Sequence, residues 1–172
     1  MISERNQCRV ISTTNDVKSY NTLWDIKSKL PDTVRDAISL AKQLGFPYLW
    51  IDRLCIMQDD QFHQKDQIEH MAAIYNNANF TICATDGEGA EFGLRGMGKD
   101  SAPRHLQRTF LQFGSSPKLS VFRWDLIKEQ KMKWYTRGWT FQERLLSTRR
   151  LVFNNQMMQW VCRNAQWSET AS

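Results

Sequence analysis

The chain is predicted to be an α/β protein carrying a C-terminal antiparallel hairpin. Three observations predict this. An amphipathic segment, "LPDTVRDAISLAKQLG", leads into the short apolar run "YLWID", and a second, "QFHQKDQIEHMAAIYNNA", leads into "NFTICAT". Helix then apolar strand, twice over, is the rhythm of a parallel sheet covered by helices. Near the end, "RLVFNNQMMQWVC" reads as two strands around Asn154-Asn155, because asparagine tolerates the left-handed backbone that a tight hairpin turn demands. There is no internal repeat and no linker, so residues 1–172 form one domain, long enough for a real core.

The elements follow in order. "CRVISTTNDV" holds one short extended stretch, and "NTLWDIKSK" is a short helix or an ordered loop. The first clear helix covers residues 33–44, with Val34, Ala37, Ile38, Ala41 and Leu44 on its buried face. Asp32 or Thr33 can cap it, and Thr33 with Asp36 resembles a capping box. Gly45 suits the residue just past its end, and Pro47 prevents continuation. Residues 48–52 are expected as a buried strand, and "RLCIMQDD" as the loop at its carboxyl end. The second helix, 62–76, takes its stripe from Phe62, Ile68, Met71, Ala72 and Tyr75. "NFTICAT" is the next strand, adjacent or nearly adjacent to "YLWID". "DGEGAEFGLRGMGKDSAP" lacks a GxGxxG between strand and helix, so it reads as a surface loop and not a dinucleotide cradle. "KLSVFRW" is a third strand, and "WTFQERLLS" a short helix entered from "TRG".

Composition excludes several classes. The net charge of +5 comes from scattered basic residues, not the concentrated face that nucleic acid requires. No apolar run is long enough to span a bilayer, and "MISERNQCRV" has no secretory h-region. Cys8, Cys55, Cys83 and Cys162 lie far apart without CxxC spacing, which predicts free thiols in a reducing, intracellular setting and no bound metal. His63 and His70 could share a helix face, but no further ligand pattern completes a metal site around them.

Chemistry concentrates in three places. Trp50, Asp52, Arg53, Cys55 and Gln58 sit at the carboxyl end of the expected strand, where open α/β sheets bind ligands. The alternative is that Asp52 caps a loop or pairs with an arginine. Tyr75 and Asn76 could face a site, though their stripe and strand read as core. The richest stretch is "YTRGWTFQERLLSTRRL", where Trp139 and Glu143, four residues apart, share a helix face, with Gln142 beside them. A ring beside a carboxylate can hold a planar heterocycle and a sugar hydroxyl. The plainer alternative is that Trp139 is core and Glu143 pairs with Arg137 or Arg144.

"LPDTVRDAISLAKQLGFPYLWIDRLCIMQDD", "MAAIYNNANFTICAT" and "RGWTFQERLLSTRRLVF" together resemble the fungal heterokaryon-incompatibility (HET) domain, in the family's order and from about Val10 to Trp167. The resemblance implies a cytoplasmic effector of regulated cell death, switched on by nonself recognition. It implies a flavodoxin-like sheet distantly similar to TIR domains, many of which hydrolyse NAD+ with a glutamate four positions after a tryptophan. By that likeness Glu143 takes the catalytic carboxylate's place and Trp139 its aromatic neighbour's. Asp52, Arg53, Arg137, Trp139 and Gln142 are the substrate-binding candidates. NAD+ would be a substrate and no cofactor is implied. Arg137 would meet the pyrophosphate or orient Glu143. TIR-like contacts imply a homo-oligomer and a rival, non-enzymatic role in self-association. The family's opening strand, with a Ser-Tyr-x-Trp-Gly pattern, has no counterpart here, so the domain is expected to be N-terminally incomplete, with two neighbouring strands left with unpaired edges, and an inactive truncated copy is a further reading.

Overall fold

A computed structural model describes residues 29–98, 101, 103, 109–111, 119–121, 134, 138–154 and 157–169. The first helix, α1, spans Asp32–Gln43 and buries Asp36, Ala37, Leu40 and Ala41. Its start differs from the capping expectation: Pro31 occupies the cap position and no side chain caps the helix. Thr33 and Asp36 are used elsewhere. Thr33 Oγ1 accepts the Gly93 N–H at 3.2 Å, and Asp36 Oδ2 accepts the Leu94 N–H at 2.8 Å. Both side chains pin the glycine-rich loop onto the helix instead of closing its first turn. The other end is as the sequence foretells. Gly45 has φ of 76°, its N–H reaches the Lys42 carbonyl at 3.1 Å, and the Phe46 N–H reaches the Ala41 carbonyl at 2.9 Å. This paired closure needs a left-handed residue, which glycine adopts without strain.

Residues 48–51 correct the expectation of a strand. They carry no sheet ladder, and Asp52–Cys55 form one helical turn, α2, where a loop is expected. A strand exists only by pairing, and among the described residues nothing pairs with this segment. Ile51 nonetheless keeps an extended backbone, with φ of −137° and ψ of 122°.

The expected 62–76 helix is two: α3, Gln61–Glu69, and α4, Met71–Asn77, broken at His70. Asp60 caps α3, accepting the N–H groups of Phe62 and His63 at 3.0 Å each. The break uncouples the expected stripe. Met71 is buried and Tyr75 half-buried, whereas Phe62, Ile68 and Ala72 are exposed.

Strand β1, Thr81–Ala84, follows, then a loop with a single 3-10 turn at Ala90–Phe92. The "KLSVFRW" strand is confirmed as β3, Leu119–Val121, antiparallel to β2, Thr109–Leu111, a pairing the sequence reading lacks. Helix α5 spans Gly138–Leu146. The hairpin is β4, Arg149–Asn154, and β5, Met157–Cys162, paired from Arg149–Cys162 to Asn154–Met157. Strand β6, Gln166–Ser168, extends it. The main sheet runs β1-β4-β5-β6, with β1 parallel to β4 and the rest antiparallel. The parallel neighbour of β1 is thus β4 and not "YLWID".

The core follows from the two-residue alternation of strands. Ile82, Ala84, Leu151, Phe153, Met158 and Trp160 share one face and pack with Ala37 and Leu40 of α1 and with Leu94. Thr81, Cys83 and Thr85 point to the other face, on the side of α4 and α5. A 2.7 Å bond between Thr81 Oγ1 and Ser147 Oγ ties the end of α5 to β1 there. Thr85 closes the sheet: its Oγ1 donates to the Phe153 carbonyl at 2.9 Å and its N–H to the same oxygen at 3.0 Å. The short extended stretch expected in "CRVISTTNDV" lies outside the described residues. No helix among the described residues is long and apolar enough to cross a membrane.

Candidate functional site

A cavity of about 480 Å³ lies along the outer edge of β1. Thr33, Val34, Ala37 and Ala41 of α1 line one side, the segment Phe46–Asp52 contributes Phe46, Tyr48, Leu49, Trp50, Ile51 and Asp52, and Ile74 and Tyr75 come from α4. Phe80, Thr81, Ile82 and Ala84 form its floor, and Glu143 of α5 reaches its wall. The size suits a small-molecule site, and so does a mostly apolar lining with few convergent polar groups.

The polar groups meet around Tyr75. Its hydroxyl is pushed well above the usual tyrosine range, first by burial and then by the charges of Glu143 and Asp52. Both carboxylates are therefore close enough to act on one phenol. Trp50 packs its ring edge against Tyr75, with centroids 6.1 Å apart and planes at 75°. Asp52 reaches this position because the chain turns into α2 there; Asp52 Oδ1 accepts the Arg53 N–H at 2.6 Å, and the carboxylate stays exposed. Glu143 is half-buried on α5 and its charge also reaches Cys83.

Cys55 and Cys83 are poor nucleophiles. Burial pushes the Cys83 thiol up to about 12, with Glu143 adding to the rise and Arg150 opposing it. Burial also raises Cys55, against a hydrogen bond from the Ile51 N–H to its sulfur at 3.4 Å. Cys55, Cys83 and Cys162 are free thiols, and Cys8 lies outside the described residues. Among the described residues, no three His, Cys, Asp or Glu gather as metal ligands. His63 instead accepts the Met57 N–H at 3.2 Å, and His70 contacts the Asp66 carbonyl at 2.8 Å.

The sequence candidates separate on this map. Asp52 and Glu143 come together on one cavity although they lie far apart in the sequence. Arg53 and Gln142 are not among the described residues that line it; Gln142 Oε1 is buried without a hydrogen-bond partner among the described residues. Trp139 lies on α5 one turn before Glu143, and Arg137 lies outside the described residues. Tyr75 is the residue that sequence reasoning left open. Its signal was an aromatic hydroxyl at the end of an apolar stripe, just before the Asn76-Asn77 exit into β1.

An α/β sheet with an acidic, aromatic-walled cavity along its parallel strand β1 is thus the class of structure the chain adopts. A profile of the family described as Heterokaryon incompatibility protein (HET) matches residues 4–143, most of the chain, and the chain belongs to that family. Its function is accordingly of the heterokaryon-incompatibility type. Comparison with curated proteins finds no match, and comparison with solved structures finds none.

Proposed function

We propose that this HET domain is a death effector of nonself recognition and that it acts by hydrolysing NAD+ at the Glu143 end of the cavity. The observation that carries this reading is the convergence of Glu143 and Asp52 on Tyr75 at one cavity wall. The nicotinamide of NAD+ is cationic, and its departure leaves positive charge on the ribose. Two carboxylates in a partly apolar cavity favour both the bound cation and the developing oxocarbenium.

The bond broken is that between the nicotinamide nitrogen and ribose C1′. Nicotinamide leaves with the bonding electron pair as a neutral molecule, so no general acid is needed. Water adds to C1′ and releases one proton, giving ADP-ribose. Glu143 holds the ribose hydroxyls and the charge on C1′. Asp52, which lines the same cavity, adds to the negative potential, and Trp50 and Tyr75 offer ring faces and edges to the nicotinamide.

Purified protein incubated with NAD+ is assayed for nicotinamide and ADP-ribose in equal amounts. Production by the wild type and its loss in Glu143→Gln support the reading; no product from well-folded wild type sinks it. A second reading, self-association without catalysis, is favoured by Phe141 and Leu145, one helical turn apart on α5 and each 67% exposed. Sedimentation across a concentration series separates it: a dimer lost in Phe141→Ser without loss of NAD+ cleavage makes the two activities independent.

A further inference from the structure

Where the chain enters β1, Asn79, Phe80 and Thr81 all line the cavity. Thr81 stands opposite Arg150 of β4 in the parallel ladder. Ile82 and Leu151 turn into the core, so by strand alternation Thr81 and Arg150 turn to the other face, on the side of α5. Arg150 is half-buried there, and its positive charge reaches the Cys83 thiol on the same face. Ser147, at the end of α5, completes the group, with its hydroxyl oxygen 2.7 Å from that of Thr81.

This group has donors to spare. Arg35 and Arg95 are held by Asp32 and Asp86, and Arg149 donates to the Asn79 carbonyl at 3.3 Å. Among the described residues, no carboxylate or carbonyl holds the Arg150 guanidinium. A guanidinium cannot shed its charge, so taking it partly out of water is costly without an anion beside it. The hydroxyls add a donor. Thr81 and Ser147 each carry one O–H, and the bond between them uses only one of the two protons, whichever residue donates. The other O–H is left to donate, and among the described residues no acceptor takes it. A planar fork of N–H groups beside a free hydroxyl proton is a donor set for phosphate oxygens.

We propose that Arg150 and the Thr81–Ser147 hydroxyl pair form an anion subsite where the cavity meets the start of β1, and that this subsite binds the pyrophosphate of a dinucleotide. The choice of ligand rests on the NAD+ reading and deepens it. In NAD+ the ribose that is cleaved and the pyrophosphate are joined only through C5′ and its oxygen, so the protein must meet both within a short span. Thr81 lines the cavity, and Arg150 is its strand partner on the same face of the sheet. Arg150 supplies charge and a bidentate fork, and the hydroxyl pair supplies a neutral donor. The subsite therefore selects substrates that carry the pyrophosphate over the bare nicotinamide nucleoside.

The test is titration calorimetry of the full chain with ADP-ribose, which keeps the pyrophosphate and lacks the nicotinamide, and with adenosine, which has no phosphate. The wild type should bind ADP-ribose more tightly than adenosine. Arg150→Met should weaken ADP-ribose by about tenfold or more and leave adenosine unchanged. Arg150→Lys keeps the charge without the fork and should fall between the two, and Thr81→Val should cause a smaller loss. Raising the salt concentration should weaken ADP-ribose binding in the wild type and much less in Arg150→Met, a response that a merely structural role would not change. Urea unfolding checks that each variant is folded. Inorganic pyrophosphate should compete with ADP-ribose on the wild type. Failure to compete overturns the proposal whatever the variants do. So does the absence of ADP-ribose binding, or undiminished binding by folded Arg150→Met. NAD+ cleavage is read on the same proteins: ADP-ribose bound through Arg150 by a wild type that cleaves no NAD+ rejects the NAD+ reading alone, and cleavage with an unchanged KM in Arg150→Met rejects the subsite alone.

Discussion

Replacing Asp36 with alanine should cost the fold about 2 kcal/mol, through one hydrogen bond that holds the glycine-rich loop to α1. The Asp36 carboxylate is buried, 8% exposed, and accepts the N–H of Leu94, whose side chain is fully buried in the core cluster. A hydrogen bond to a charged acceptor contributes about 1.5–3 kcal/mol, and its loss leaves a buried N–H without a partner. For a chain of this size, about 2 kcal/mol lowers the melting temperature by roughly 4–8 °C. Asp36→Asn keeps an oxygen acceptor without the charge and should lose about half as much. Gly93 sharpens the test. It has φ of 77°, and a Cβ there would stand 2.8 Å from Asp36 Oδ2. Gly93→Ala should therefore destabilise by about 2 kcal/mol or more from backbone strain and collision together. In the Asp36→Ala background the collision is gone, so the two losses should sum to less than their separate values. Urea unfolding monitored by tryptophan fluorescence gives all four values. An Asp36→Ala protein within about 0.5 kcal/mol of wild type, the scale of an ordinary surface change, would refute the reasoning.

Phe153→Ala empties the centre of the sheet face, where Phe153 is 1% exposed, and should cost about 3–5 kcal/mol in urea unfolding. Gly45→Ala meets no atom within 4 Å but must hold a φ of 76°, so the loss should be about 1–2 kcal/mol, from backbone alone, with the core unchanged by near-ultraviolet circular dichroism. Cys83 titrates near 9.0 when unfolded and near 12 when folded, so the unfolded chain binds fewer protons between those values. Stability should then fall as pH rises from 9 through 12, by up to about 1.4 kcal/mol per pH unit for this group, and Cys83→Ala should flatten that slope. A thiol reagent at pH 8 should leave Cys83 unmodified until the protein is denatured, and mass spectrometry of the labelled peptide decides it.

Local patterns in the sequence carried over where the element is closed within itself. Helix α1 and its glycine exit, the hairpin β4–β5 and the helix beginning at Gly138 are all readable from period and turn residues, because each satisfies its own backbone. "YLWID" failed for the opposite reason: its apolar run has strand character, but a strand needs a neighbour and none pairs with it among the described residues. The break at His70 was hidden because "QFHQKDQIEHMAAIYNNA" contains no proline or glycine to mark it. Thr33 and Asp36 look like capping residues by spacing, and only the tertiary approach of Gly93 and Leu94 shows their other use. For the site, Asp52 and Glu143 were legible as separate candidates. Their meeting at Tyr75 depends on how α2, α4 and α5 converge on β1, which no local spacing encodes.

The proposed killing by this HET domain through NAD+ cleavage rests on the Glu143 charge. It is tested most directly by inducing the wild type and Glu143→Gln in fungal cells at matched levels of folded protein and following NAD+ and viability together. Glutamine keeps the shape of the side chain and removes the charge that would stabilise the transition state, so cleavage should slow by about a hundredfold or more. The account predicts that the wild type depletes NAD+ before viability falls and that Glu143→Gln spares both. Equal killing by a normally folded Glu143→Gln protein, or killing by the wild type with NAD+ unchanged, would contradict it.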